Sequence, residues 1–89
     1  MNDVSQGLPA DRTLLIVDDD APLRNRLARA LEKRNFIPEV AASVAEGIDR
    51  ASQRPPAYAI VDLRLEDGNG LEIVKALREV RVDVRIVML

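Results

Sequence analysis

The chain has 89 residues, of which 47% are hydrophobic and 31% charged, and its net charge is −2. This composition is typical of one small folded domain, and the weak negative charge gives no general attraction to nucleic acid or to anionic membranes. Because cysteine and histidine are absent from the sequence, disulfides, thiolate or histidine metal sites and histidine catalysis are excluded. No apolar run approaches the roughly 20 residues of a membrane span, and the polar start lacks a signal peptide's apolar core. We expect a cytoplasmic protein without membrane contacts.

The first predicted strand is Thr13–Val17, a short apolar run rich in branched residues. Residues 1–12 before it are polar, and we expect them to form a flexible tail. The strand stops at the triplet Asp18–Asp20. Asp20 is a plausible N-cap for a helix, because Pro22 suits the first helical turn.

The helix that follows has an apolar face and a basic face. The apolar residues recur at helical spacing, and they are Leu23, Leu27, Ala30 and Leu31. The basic residues that we expect on the solvent side are Arg24, Arg26, Arg29, Lys33 and Arg34. Asn35 can adopt the left-handed conformation that ends a helix.

A second strand and a second helix are predicted next. Phe36–Ala42 favours a strand near a sheet edge, because Pro38 cannot donate to a neighbouring strand. Ser43 and Glu46 have the spacing of a capping box. The apolar face of the helix consists of Val44, Ile48 and Ala51, and the helix ends before Pro55-Pro56.

The last part of the chain predicts a strand, a turn, a helix and a further strand. Tyr58–Asp62 is an apolar run that ends in a single acid, and Asp67–Gly70 is a turn cluster. Asn69 and Glu72 repeat the capping pattern at the start of the third helix. The apolar face of that helix consists of Ile73, Val74, Leu77 and Val80. Arg85–Leu89 begins the fourth predicted strand.

The order β-α-β-α-β-α-β predicts an α/β fold with three layers, a parallel sheet with helices on both faces. The functional crevice of such a sheet lies at the carboxyl ends of the strands. If the first and third strands are neighbours, Asp18, Asp19 and Asp62 meet at that edge. A single acid after a strand is usually a cap or a turn residue. An Asp triplet is usually a solvated loop with a helix cap, and that is our interpretation of Asp20. The pair after strand 1, the acid after strand 3 and Gly70 eight residues further on together indicate a functional acidic pocket.

Carboxylates held close together repel one another unless a cation lies between them. A site with only oxygen ligands favours a hard ion such as Mg²⁺, which takes one or two carboxylates and keeps several waters. A carboxylate oxygen that stays free can then act as a nucleophile toward phosphorus and form an aspartyl phosphate. The metal neutralises charge on the phosphoryl group during the transfer.

At these residues the chain resembles the receiver domain of bacterial response regulators, the CheY-like or flavodoxin-like fold. The motifs are LLIVDDD at 14–20 and YAIVDLRLEDGNGLEIV at 58–74, and the resemblance covers about residues 13–89. The wording VDLRLEDGNGL is closest to the RegA/PrrA/ActR branch of redox-responsive regulators. The resemblance implies the strand order 2-1-3-4 and a partial receiver domain over 13–89.

The resemblance also assigns roles to individual residues. It implies that Asp62 is the phospho-acceptor, that Asp19 binds Mg²⁺ directly and that Asp18 acts through water. The backbone carbonyl of Arg64 is implied as a further ligand, although many receivers have Asn at that position. Glu66 stands where many receivers have Pro.

A full receiver domain is expected to have five strands and five helices. Its switching Thr or Ser and its Lys would follow Leu89, so the fifth strand, the last two helices and a DNA-binding output domain are absent from these 89 residues. We expect the chain to be truncated after the fourth predicted strand. The outer edge of Arg85–Leu89 would then be exposed and could promote self-association.

We hypothesise that the chain accepts a phosphoryl group from a cognate histidine kinase and switches a transcriptional output. It would be a signalling domain that assists its own phosphorylation, and not an enzyme with a separate substrate. The first alternative is a phosphatase or phosphotransferase of the aspartyl-phosphate type. Such enzymes usually carry a second Asp two residues after the nucleophile, and Arg64 argues against that. The second alternative is an interaction domain with an inert acidic pocket.

Overall fold

The computed structural model describes residues 11–89, in which strands and helices alternate. In chain order the elements are β1 (Thr13–Val17), α1 (Ala21–Glu32), β2 (Ile37–Ala41), α2 (Val44–Gln53), β3 (Tyr58–Val61), β4 (Arg64–Leu65), β5 (Gly68–Asn69), α3 (Gly70–Val80) and β6 (Arg85–Met88). The predicted elements are therefore present. The short antiparallel hairpin β4–β5 after β3 was not predicted.

The main sheet has four parallel strands in the order β2-β1-β3-β6. With β6 as the fourth predicted strand, this is the predicted order 2-1-3-4, and the predicted α/β fold class is confirmed. The register pairs Val17 with Ala41 on one side and with Val61 on the other. The carboxyl ends of β1, β2 and β3 therefore lie level with one another.

One face of the sheet is covered by α2 and α3, and this side holds the main core. Alternate residues of β1, Leu15 and Val17, point to it because side chains alternate across a strand. The core members from the helices and from the remaining strands and loops are Ala41, Val44, Ala51, Ala59, Val61, Leu65, Ile73, Leu77 and Val84. Ile73 and Leu77 are fully buried, whereas Val80, predicted on the same stripe, is exposed at the end of α3.

The other face of the sheet is covered only partly, by α1. No residue of α1 is fully buried, and an apolar cavity of about 220 Å³ lies beside Leu31 and Leu14. Ala30 was predicted on the packed stripe but is exposed, whereas Ala28 is half-buried. The reason is geometric. Residues four apart on an α-helix are slightly rotated from one another, so successive leucines of α1 shift around the helix axis toward the side that carries Arg24 and Ala28, and away from Ala30. The prediction that Arg24 lies on the solvent side is wrong for the same reason, because Arg24 is half-buried.

The predicted helix caps are present, with one difference. Asp20 accepts a hydrogen bond from Leu23 N, and Asn35 has φ 71°, as its left-handed cap role requires. Ser43 Oγ accepts from Glu46 N, but Glu46 Oε1 accepts from Ala42 N, which lies one residue before the N-cap. The second capping box is complete at the start of α3; it is formed by Asn69 and Glu72.

The amino end of the sheet is closed by polar contacts around Asp11. Its carboxylate accepts hydrogen bonds from Thr13 N and Thr13 Oγ1 and pairs with Arg81 Nη1 at 2.7 Å. Thr13 Oγ1 also accepts from Ala57 N. The flexible tail predicted over residues 1–12 stays a prediction, because residues 1–10 lie outside the described part. Asp11 and Arg12, the last two residues of that range, contact the domain.

Among residues 11–89, β6 forms one edge of the sheet and pairs with β3 alone. Val87 is 56% exposed, and Met88 and Leu89 are exposed as well. An apolar edge strand of this kind presents unpaired backbone groups. Between residues 11 and 89 no helix combines the length and the apolar character needed to cross a membrane.

Candidate metal centre

Three carboxylates meet at the carboxyl edge of the sheet. Asp18 and Asp19 follow β1, Asp62 follows β3, and one oxygen from each lies within 4.8 Å of the others. The neighbouring strands fix this arrangement: Asp62 N donates to Val17 O at 2.9 Å, and Asp18 N donates to Ala41 O at 3.1 Å. The structure therefore brings together the three acids that the sequence predicted would meet.

The three carboxylates lie in different surroundings. Asp18 is only 3% exposed, and its Oδ1 accepts a hydrogen bond from Asp20 N in the turn that starts α1. Asp19 is exposed. Asp62 is half-buried, and its Oδ1 accepts from Arg64 N at 3.2 Å. The backbone N–H of Arg64 therefore lies beside Asp62, and the role of the Arg64 carbonyl as a metal ligand stays a prediction.

No basic side chain neutralises this cluster within residues 11–89, where none of the three acids forms an ion pair. Arg24 lies next to Asp18, but its guanidinium Nη1 donates to the backbone carbonyl of Asp18 at 2.8 Å and not to the carboxylate. Three close carboxylates without a paired cation are electrostatically unfavourable. The arrangement is therefore suited to a bound cation.

The donor set fits a hard metal ion. It offers only carboxylate oxygens, and the chain has no histidine or cysteine to bind a softer metal. Ligands on opposite sides of Mg²⁺ are about 4.2 Å apart, since each lies roughly 2.1 Å from the ion. Separations of up to 4.8 Å are compatible with direct binding by some of the carboxylates and contact through water by another.

Gly70 keeps the first turn of α3 in contact with the backbone of Asp62. It is buried, and its N–H donates to Leu63 O at 2.7 Å. A Cβ atom at Gly70 would overlap the carbonyl oxygen of Asp62 and lie 3.0 Å from Val61 Cγ1. This close approach explains why a glycine follows Asp62 at the spacing noted in the sequence.

Asp67, which was not predicted as a site residue, fixes the hairpin after Asp62. Its Oδ1 accepts from Val44 N at 2.8 Å and its Oδ2 from Ala45 N at 3.1 Å, at the start of α2. The hydrogen bond from Val44, followed by that from Ala45, lowers the pKa of the Asp67 carboxyl. Its partners lie more than 20 positions away in the sequence, so no local pattern indicates the contact.

The family described as the response regulator receiver domain matches residues 14–89. The chain belongs to this family. It is 66% identical over 82 residues to the photosynthetic apparatus regulatory protein RegA of Cereibacter sphaeroides, across 92% of this chain and 45% of that protein. It is 54% identical over 79 residues to the acid tolerance regulatory protein ActR of Rhizobium meliloti, across 89% of this chain and 41% of that protein. The chain thus spans less than half the length of these curated relatives.

Solved structures give the same result for the fold. A response regulator from Burkholderia pseudomallei, with a phosphorylated aspartic acid, calcium ion and citrate, matches with a TM-score of 0.83 and 29% identity. The match covers 88% of this chain and 46% of that one. A CheY-like receiver domain protein from Methanospirillum hungatei also has a TM-score of 0.83, with 26% identity over 89% of this chain and 63% of that one.

The receiver-domain hypothesis and the resemblance to RegA and ActR are thus confirmed. The chain is a signalling domain by family. The alternatives weighed from the sequence, an aspartyl-phosphate-type phosphatase or phosphotransferase and an inert interaction domain, are not supported.

Proposed function

We propose that this receiver domain accepts a phosphoryl group on Asp62 with the help of Mg²⁺. The observation that carries the proposal is the cluster of Asp18, Asp19 and Asp62, whose oxygens lie within 4.8 Å of one another and have no paired cation among residues 11–89. The phosphorylated aspartic acid of the related Burkholderia pseudomallei protein supports the same chemistry.

Asp62 is the nucleophile in this proposal. Its Oδ1 is held by Arg64 N, while within the described residues its other carboxylate oxygen makes no hydrogen bond. That oxygen attacks the phosphorus of a phosphohistidine donor and forms the O–P bond. The P–N bond breaks, and its electron pair stays on the imidazole nitrogen, which is then protonated. The protein assists its own phosphorylation and is itself the acceptor, so it does not transfer the phosphoryl group to a separate substrate.

Asp19, Asp62 and the backbone carbonyl of Arg64 are the proposed direct ligands of Mg²⁺, and Asp18 acts through water. The exposure of Asp19 and the burial of Asp18 suit these roles, because Mg²⁺ keeps several waters when it binds proteins. The calcium ion in the Burkholderia pseudomallei protein supports a divalent cation as the ligand. When bound, Mg²⁺ would neutralise charge on the phosphoryl group during transfer.

The partners proposed for the chain follow from its relatives. RegA and ActR are regulatory proteins, and PhoB of Escherichia coli, which is 29% identical to this chain over 80 residues, is a transcriptional regulatory protein. We propose a cognate histidine kinase as phosphodonor, and contact with DNA only through an output domain outside these 89 residues. The cytoplasmic location stays a prediction.

Labelling with phosphoramidate tests the role of Asp62, since this donor carries the P–N bond of phosphohistidine. With Mg²⁺ present, we expect a base-labile phosphoryl adduct on Asp62 that the variant Asp62→Asn lacks, measured by mass spectrometry of peptides. Labelling of the 89-residue chain alone should be slow, since the lysine implied by the family resemblance is not among its residues and preorganised charge is a large catalytic contribution. An adduct that survives in Asp62→Asn, or that maps to Ser43, would contradict the assignment.

We also propose that the isolated 89-residue chain self-associates through the outer edge of β6. Val87, Met88 and Leu89 are exposed there, and in the described part of the chain β6 pairs with β3 alone. Exposed apolar edges recruit further strands. Sedimentation should show a species heavier than the monomer, with slowed amide exchange along β6 as concentration rises. A monomer at every concentration with cooperative unfolding would overturn this proposal.

A further inference from the structure

The hairpin β4–β5 separates Asp62 from α3 and carries Arg64. Its turn, Glu66 and Asp67, contains no proline, and both side chains are exposed. Within residues 11–89 the Glu66 side chain makes no hydrogen bond. Among residues 11–89, the hydrogen bonds that join the tip of the hairpin to α2 are the two that Asp67 accepts.

The contact satisfies donors that are otherwise free. The first N–H groups of a helix have no partner within the helix, and they attract negative charge. In α2, the N–H groups of Val44 and Ala45 donate to Asp67, while that of Glu46 donates to Ser43. Asp67 therefore takes two of the first three donors of α2, and Ser43 takes the third.

The base of the same hairpin adjoins the candidate metal centre. Arg64 N donates to Asp62 Oδ1, and Gly70 N donates to Leu63 O. Leu65 is buried in the core, and Arg64 pairs with Asn69 across the hairpin. Only two residues separate Arg64 from Asp67, so movement at the tip changes the backbone at the site.

We propose that Asp67 is a positioning residue that fastens the hairpin to α2 and thereby holds the backbone of Arg64 in place for cation binding at Asp62. This inference rests on the proposed metal-binding function. Asp67 does not touch the metal. Its effect is exerted through the orientation of the Arg64 carbonyl and of the N–H that holds Asp62. The lowered pKa of Asp67 agrees with a carboxylate that remains charged while it accepts both hydrogen bonds.

The test compares Mg²⁺ affinity in matched variants of the 89-residue chain, followed by amide chemical shifts. Asp67→Ala removes both acceptors, and we expect Mg²⁺ to bind about 10-fold more weakly, the scale seen when groups that orient metal ligands are lost. Asp67→Asn retains one acceptor and should fall between Asp67→Ala and the wild type. It also keeps the comparison available if Asp67→Ala does not fold.

Two control variants separate positioning from charge and from helix stability. Glu66→Ala removes one negative charge from the same turn without removing a hydrogen bond found among the described residues. Ser43→Ala removes the N-cap contact of the same helix without touching the hairpin. We expect both controls to bind Mg²⁺ within twofold of the wild type, although Ser43→Ala should melt at a lower temperature.

Amide exchange in the absence of metal provides a second measurement. Asp67→Ala should speed exchange at Gly70, whose N–H closes the hairpin, whereas Ser43→Ala should not. Unchanged affinity and exchange in Asp67→Ala, or an equal loss of affinity in either control, would overturn the positioning role. If the wild type itself binds no Mg²⁺, the proposed function fails and the positioning role fails with it, so the wild-type titration distinguishes the two failures.

Discussion

The two ends of the parallel sheet each carry carboxylates, but the surroundings of these carboxylates differ. At the amino end, Asp11 is paired with Arg81 and hydrogen-bonded to Thr13. At the carboxyl end, Asp18, Asp19 and Asp62 lie together with no ion pair among the described residues. The first arrangement stabilises the fold, and the second leaves charge available for a ligand.

The pKa of Asp11 reflects the stabilising contacts at the amino end of the sheet. Hydrogen bonds from the side chain and backbone of Thr13, and then from Arg81, lower the pKa of Asp11 to about 2. A carboxylate with its partners in place needs no further cation. The contrast with the carboxyl end shows that the role of an acid at a sheet end depends mainly on whether a basic side chain is paired with it.

The largest effect expected at the carboxyl end comes from Gly70→Ala. The new Cβ would overlap the carbonyl oxygen of Asp62, and the backbone must shift to relieve it. We expect a loss of about 3 kcal/mol in the free energy of unfolding, at the upper part of the range for overpacking, measured by urea denaturation.

Gly47→Ala is the matched control for this substitution. Its Cβ would meet Ile73 Cδ1 at 3.1 Å and Val17 Cγ2 at 3.2 Å, both ends of side chains. Alanine also gains about 1 kcal/mol of helix propensity over glycine, so we expect a net change below about 1 kcal/mol. Equal effects at the two glycines would contradict the account of Gly70.

A smaller effect is expected at the amino end, from Asp11→Asn. The folded pKa of about 2 lies below the ordinary 3.8, so the stabilisation is present above about pH 4 and is lost as pH falls toward 2. The shift corresponds to at most about 2.5 kcal/mol. Because the Asp11 side chain is 37% exposed, solvent screening reduces this to about 1 kcal/mol.

Urea denaturation between pH 2 and pH 7 checks this prediction. The Asp11→Asn variant should be less stable at pH 7 and should lose less stability on acidification than the wild type. Asp19→Asn makes the same chemical change at the other end of the sheet. In the absence of metal it should be at least as stable as the wild type, since it removes repulsion. A destabilisation by Asp19→Asn as large as that by Asp11→Asn would contradict the difference between the two ends.

Much of the fold was predictable because its signals are local. Apolar runs give the strands, and caps such as Asp20 and Asn69 lie within three residues of the groups they bind. The meeting of Asp62 with Asp18 and Asp19 followed from the rule that parallel strands present their carboxyl ends at one edge. The sequence showed that Gly70 follows Asp62 by eight residues but did not predict their contact, which the structure explains by the lack of room for a Cβ atom.

The features that were missed depend on distant contacts or on very short elements. β4 and β5 have two residues each, too few to show a strand period. Asp67 binds α2, and Arg81 binds Asp11 across 70 positions, so neither partner is visible in a local pattern. Ala30 and Arg24 were misplaced because the orientation of α1 on the sheet is set by packing, which spacing alone does not determine.

The most direct test of the central claim is a Mg²⁺ titration of the chain that observes the amides at both ends of the sheet. We expect shifts at Asp18, Asp19 and Arg64, weak but saturable binding, and no shift at Asp11 or Arg81. Asp19→Asn should weaken binding much more than Asp20→Asn, because Asp20 serves as the cap of α1. Equal weakening by the two variants, or shifts at Asp11 as large as those at Asp19, would contradict the assignment of the carboxyl edge as the metal site.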